Sequence, residues 1–146
     1  MTKLRAWILA LMSMVLLVGT GSIVHAGNNP PTTQGTLPYY TSKTSINSFV
    51  YTNTKWAPSS SGEIYVSVSY DTNNGAATNF YARLFWGSEP ANTRLVGTGS
   101  SVRKGTVRFY NLSTNKIYSV KFTTTNPTTF RAGCGKTAAS AQDFTF

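Results

Sequence analysis

Ile64-Tyr65-Val66-Ser67-Val68-Ser69-Tyr70 alternates apolar and mostly polar side chains. In a β-strand successive side chains point to opposite faces. Ile64, Val66, Val68 and Tyr70 therefore share one face, and Glu63, Tyr65, Ser67 and Ser69 the other. The same period extends outward along the chain. In Asn79–Trp86, Phe80, Ala82, Leu84 and Trp86 read as inward and Tyr81, Arg83 and Phe85 as outward. In Lys116–Thr125, Tyr118, Val120 and Phe122 read as inward and Ser119, Lys121 and Thr123 as outward. Nothing in these runs shows the 3.6-residue period of a helix.

Turn chemistry separates the runs. A first strand is expected in Ile46–Thr54, ended by Pro58-Ser59-Ser60-Ser61-Gly62. Asp71–Thr78 reads as a loop, with Asn74-Gly75 suited to the positive φ of a tight turn. Gly87–Asn92 and Gly97-Thr98-Gly99 read as turns around a short strand at Thr93–Val96. Ser101–Leu112 is a longer run, with Val107 and Phe109 inward and a bulge expected at Gly105. Asn126-Pro127 stops the chain again. The stretch after Phe130, Arg131-Ala-Gly-Cys-Gly-Lys-Thr-Ala-Ala-Ser-Ala-Gln142, reads as a small-residue loop before a last strand at Asp143–Phe146. About seven short strands predict an all-β fold, a single antiparallel two-sheet sandwich. A small β-barrel is the alternative.

The ends of the chain read differently. Lys3 and Arg5 precede the apolar run Trp7–Val18, and Val24-His25-Ala26 has the small-x-small pattern of a cleavage site. The apolar run is shorter than the ~20 residues of a spanning helix. The expected organisation is a signal peptide over 1–26, an extended Asn/Pro/Thr-rich arm over 27–44 and a β-sandwich domain over 45–146. Tyr39-Tyr40 is the expected docking point of the arm. The expected location is secreted, with membrane contact only through an uncleaved signal.

Removing the signal also removes His25, the single histidine. Without it a Ser-His-Asp or Cys-His arrangement has no base. The carboxylates are four in all, Glu63, Asp71, Glu89 and Asp143, scattered along the chain rather than paired for glycoside hydrolysis or clustered for calcium. No His/Cys spacing suits a metal. Gly133-Cys-Gly-Lys-Thr137 mimics the end of a P-loop, but the first glycine of that motif is replaced by Phe130. The expectation is a protein without enzymatic activity or cofactor. Cys134, the single cysteine, has no internal partner; it reads as a free thiol or as the bridge of a disulfide-linked dimer.

The centre of the chain resembles the fibronectin type III-like and immunoglobulin-like β-sandwiches. Ile64–Tyr70 is similar to their second strand and Phe80–Trp86 to their third. Leu112-Ser-Thr-Asn-Lys-Ile-Tyr118 resembles the approach to a tyrosine corner, in which a buried Tyr hydroxyl bonds backbone a few residues upstream. The resemblance covers roughly residues 46–125 and implies adhesive or spacer modules rather than catalysts.

What remains is charge and aromatic surface. Thirteen Lys and Arg outnumber the four acids, and Tyr and Phe contribute eight residues each. If Asn79–Trp86 and Lys116–Thr125 are neighbours in one sheet, Tyr81, Arg83, Phe85 and Lys121 form one outward patch. A second patch is expected from Tyr65, Arg108 and Tyr110. Trp56 reads as a rim aromatic and Trp86 as core. Cations meet acidic groups and aromatic faces stack on rings. The expected function is a secreted binding module for an anionic or carbohydrate-containing surface polymer, a glycan or an extracellular protein. Nucleic acid is a minor partner without a recognition motif. The alternatives are a toxin or bacteriocin-like effector and an inhibitor of an extracellular enzyme.

Overall fold

The computed structural model describes residues 29–72, 78–87, 89–99 and 103–142. The expected signal peptide, the expected turn at Asn74-Gly75 and the expected last strand at Asp143–Phe146 lie outside them. The strands are β1 (Tyr39–Tyr40), β2 (Thr44–Ile46), β3 (Phe49–Tyr51), β4 (Ile64–Thr72), β5 (Thr78–Trp86), β6 (Glu89–Gly99), β7 (Arg103–Phe109), β8 (Tyr118–Thr124) and β9 (Thr128–Gly135). One short helix, α1 (Ala138–Ala141), follows. The protein is all-β, with two antiparallel sheets that do not close into a barrel.

The first sheet runs β7-β4-β9, with both β1 and β2 added to β9. The second runs β3-β8-β5-β6. The alternation read from β4 holds on its inner face, where Ile64, Val66, Val68 and Tyr70 are all buried. Phe80, Ala82 and Leu84 of β5 and Val120 and Phe122 of β8 meet them from the other sheet. Aromatic rings fill the centre. Tyr70 stacks on Phe80 at 5.0 Å, and Phe130 lies 5.2 Å from Phe80 and 5.1 Å from Phe122. Such tilted and offset pairs add to the gain from burying apolar area.

Tyr118 opens β8 and is buried, and its Oη accepts the Ser113 N–H at 3.1 Å. This is the hydrogen bond expected of the corner. Below it, Leu112 N–H donates to the Gly62 carbonyl, and a Cβ on Gly62 would collide with the Leu112 backbone. Gly62 also has φ +74°, so the break at 58–62 needs glycine twice over.

Several expectations are corrected. The first run is not one strand. β2 pairs with β9 and β3 with β8, so the chain crosses between sheets at Asn47-Ser48. β6 absorbs most of the two expected turns around Thr93–Val96. Gly87, with φ +62°, lies in the turn between β5 and β6. Gly105 sits in unbroken register opposite Val68; the irregularities fall instead in the β5–β6 ladder, at Phe80/Tyr81 and Leu84/Phe85. Arg131–Gly135 is strand, not loop, because its small residues lie in the ladder against β4. Trp56 is fully buried, packed 4.9 Å from Tyr39 and bonded through backbone to Tyr118. Trp86 is 47% exposed, since it is the last residue of β5, and Lys116 Nζ stacks over its ring at 3.8 Å.

In the resembled sandwiches the final strand lies in the sheet of the third and sixth. Here β9, the last of the described strands, joins β4 instead, and β3 takes the place beside β8. Tyr39-Tyr40 does dock, as a strand on β9.

Candidate binding face

The outer face of the second sheet is built by register. Arg83 of β5 lies opposite Lys121 of β8, Tyr81 opposite Thr123, and Phe85 opposite Ser119. β3 continues these rows, with Tyr51 opposite Lys121 and Phe49 opposite Thr123. On the far side Thr93 of β6 lies opposite Arg83. The sheet thus brings Tyr81, Arg83 and Lys121 together, all half-buried. Phe85 is the exception among the predicted site residues. It points outward but is only 7% exposed, because Tyr51 packs edge-on against it at 5.5 Å. It supports the face from below and offers little surface of its own.

Phe49 and Tyr51 were missed in the sequence reading. The signal was present: Phe49-Val50-Tyr51 alternates, with Val50 buried and Phe49 exposed. It was hidden because the run shows no partner strand.

Two cations directly opposite each other repel. Their side chains lean apart. Lys121 Nζ sits 4.0 Å from the Phe49 ring centroid and 5.3 Å from that of Tyr51. Arg83 turns the other way, and its Nε donates to Thr93 Oγ1 at 3.1 Å. A shallow groove of about 240 Å³ lies on the Arg83 side, lined by Tyr81, Arg83, Thr93 and Thr123. The buried Oγ1 of Thr123 has no hydrogen-bond partner among the described residues. A hydroxyl left unpaired in this way costs about 1–3 kcal/mol.

The second predicted patch is assembled differently. Tyr65 and Arg108 are register partners, but Glu63 forms an ion pair with Arg108. That bond raises the Arg108 pKa and keeps the guanidinium charged. Tyr110 is exposed, with the guanidinium carbons of Arg94 and Arg108 each 5.4 Å from its ring centroid. Arg94 comes from the other sheet, so the stack closes one side of the sandwich.

The outer face of the first sheet is partly covered. Thr137 caps α1 by accepting the Ser140 N–H, and Ser140 Oγ accepts the Thr137 N–H in return. Gly133 and Gly135 leave room for it; a Cβ on either would strike Ala141 or Ser140. Tyr40 Oη donates to the Ser140 carbonyl at 2.5 Å. A cavity of about 400 Å³ beside the helix is lined by Ser67, Val68, Lys104, Gly105, Thr106 and Gln142. Its polar walls already bond one another, Ser67 to Thr106 and Gln142 to Thr106.

Cys134 is wholly buried in the core, and burial pushes its thiol pKa up. A bridge from it to a second chain requires β9 to leave the sheet. Among the described residues no three His, Cys, Asp or Glu gather as a metal site. No protein-family model matches the chain, and no curated protein matches it.

Proposed function

We propose that this chain is an exported, non-enzymatic binding module whose second sheet takes an anionic or carbohydrate-containing surface polymer. One observation carries the reading. Arg83 and Lys121 are direct cross-strand partners, with aromatic and hydroxyl side chains around them and no carboxylate at any position paired with them. Stability alone disfavours that pair. A polyanion laid across the strands removes the penalty and gains from the rings beside it. We also read the central strands as immunoglobulin-like. Support comes from β4 and β7 pairing in one sheet, β5 and β8 in the other, and the Tyr118 corner. Export rests on residues 1–26.

The test is a pull-down with the cell envelope of the producing organism across a salt series. The protein is expected in the envelope fraction at low salt and to be released as salt screens the charges. Tyr81→Ala combined with Arg83→Ala is expected to stay folded and to lose the envelope. Binding that survives both the double substitution and high salt overturns this face. Growth arrest of neighbouring cells by a protein that does not bind envelope favours the effector instead.

A further inference from the structure

The groove and the cation pair differ in chemistry, and their adjacency narrows the ligand. Resting on the binding face proposed above, the geometry points to an acidic polysaccharide, bound with one sugar ring against Tyr81 in the groove and its acid group laid across Arg83 and Lys121. The cations are on neighbouring strands, so their Cβ atoms stand about 5 Å apart. Their heads lean away from each other, toward Phe49 on one side and Thr93 on the other. An oxyanion laid across the pair is attracted by both charges. Arg83 spends its Nε on Thr93, which fixes the plane of the guanidinium while the two terminal nitrogens stay available for a fork-like contact.

The groove beside this seat asks for more than charge. Tyr81 offers a ring, and Thr93 and Thr123 line the same space. The Thr123 Oγ1 is buried and unpartnered among the described residues, so it meets a ligand hydroxyl only after a change of its χ1 rotamer. A flexible polyol-phosphate chain uses the cations but has no ring for Tyr81. The groove, about 240 Å³, is below the ~300 Å³ at which cavities engulf a small molecule, and it is open. It therefore holds one unit of a chain that runs on across the sheet.

The experiment titrates the purified protein with three defined probes: polygalacturonate, its fully methyl-esterified form, and inorganic polyphosphate. Polygalacturonate is expected to bind at least about tenfold more tightly than either of the others, which lack the acid or the ring. Tyr81→Ala and the double Arg83→Gln/Lys121→Gln are each expected to remove that preference, the first with melting temperature unchanged and the second with it unchanged or slightly raised by loss of the like-charge pair. Thr123→Val keeps shape and fold and is expected to weaken polygalacturonate several-fold while leaving polyphosphate alone. If polyphosphate or the ester binds as well as polygalacturonate, the acidic sugar is wrong and the broader polymer reading stands. If none of the probes and no envelope material binds, both fall.

Discussion

The two sheets have the same inner face and opposite outer ones. Inside, both contribute alternate aromatic and branched side chains to one core. Outside, the first sheet places Gly133 and Gly135 under α1, so that Ser67 and Ser69 end up buried. The second sheet carries Tyr81, Arg83 and Lys121, with no helix above them among the described residues. On the proposed reading, the difference separates the face that serves the fold from the face that would serve recognition. On the covered face Ser67, Thr106 and Gln142 bond one another, while the buried Ser69 Oγ has no partner among the described residues. The open face sets two cations directly opposite each other and, among the described residues, leaves the Thr123 hydroxyl without a partner.

The largest expected effect sets the scale for both faces from the core they share. Trp56→Ala is expected to cost about 3–5 kcal/mol in urea unfolding, because a large ring is lost with little room to collapse. Trp86→Ala is expected to lose only about 0.5–1 kcal/mol, the value of an exposed cation–π contact with Lys116. Equal losses would break the assignment of inside and outside at the end of β5.

On the covered face, Gly133→Val puts a side chain against the Ala141 carbonyl and the Tyr40 ring. The expected loss is about 1–3 kcal/mol from overpacking. A variant as stable as the parent would mean that α1 does not rest on β9.

The pH dependence also belongs to the first sheet. Burial raises the pKa of Cys134 in β9 and of Tyr39 in β1, so folding favours their neutral forms. The unfolded chain ionises first. Stability from Cys134 is therefore full below the ordinary thiol value of 9.0 and is lost as pH rises above it. The expected slope is about 1.4 kcal/mol per pH unit, with Tyr39 adding to it above its ordinary 10.0. Cys134→Ala is expected to delay the decline, and an unchanged pH profile would contradict the thiol's place in the core.

The smallest effect is the most diagnostic for the open face. Arg83→Thr removes the like-charge pair and is expected to stabilise the protein by about 0.2–1 kcal/mol while weakening polymer binding. A destabilised variant would show that Arg83 serves the fold, and would erase the contrast between the faces.

Much of this was legible beforehand. The alternation in Ile64–Tyr70 placed four side chains in the core correctly, and Leu112–Tyr118 foretold the Ser113–Tyr118 bond. Three of the four predicted face residues lie where parity put them with usable surface. Phe85 lies on the right side but is covered, because parity says which way a side chain points and not what comes to rest on it. The tryptophans were exchanged for the same reason. Trp86 was counted with the inward residues, yet it ends its strand beside the turn. Trp56 lies outside any long run, yet it pairs with Tyr118 and packs on Tyr39. Helix α1 spans four residues, too few to show a period.

The order of side chains by itself determined the strand class, the inward sets of β4 and β8 and the excess of positive charge. These follow from local steric alternation and composition. Tertiary structure alone decided which strands are neighbours. It set β9 beside β4 and β3 beside β8, covered one face with a helix and left the other open. Those choices depend on contacts between residues far apart in the chain, where loop closure and ring packing outweigh any local preference.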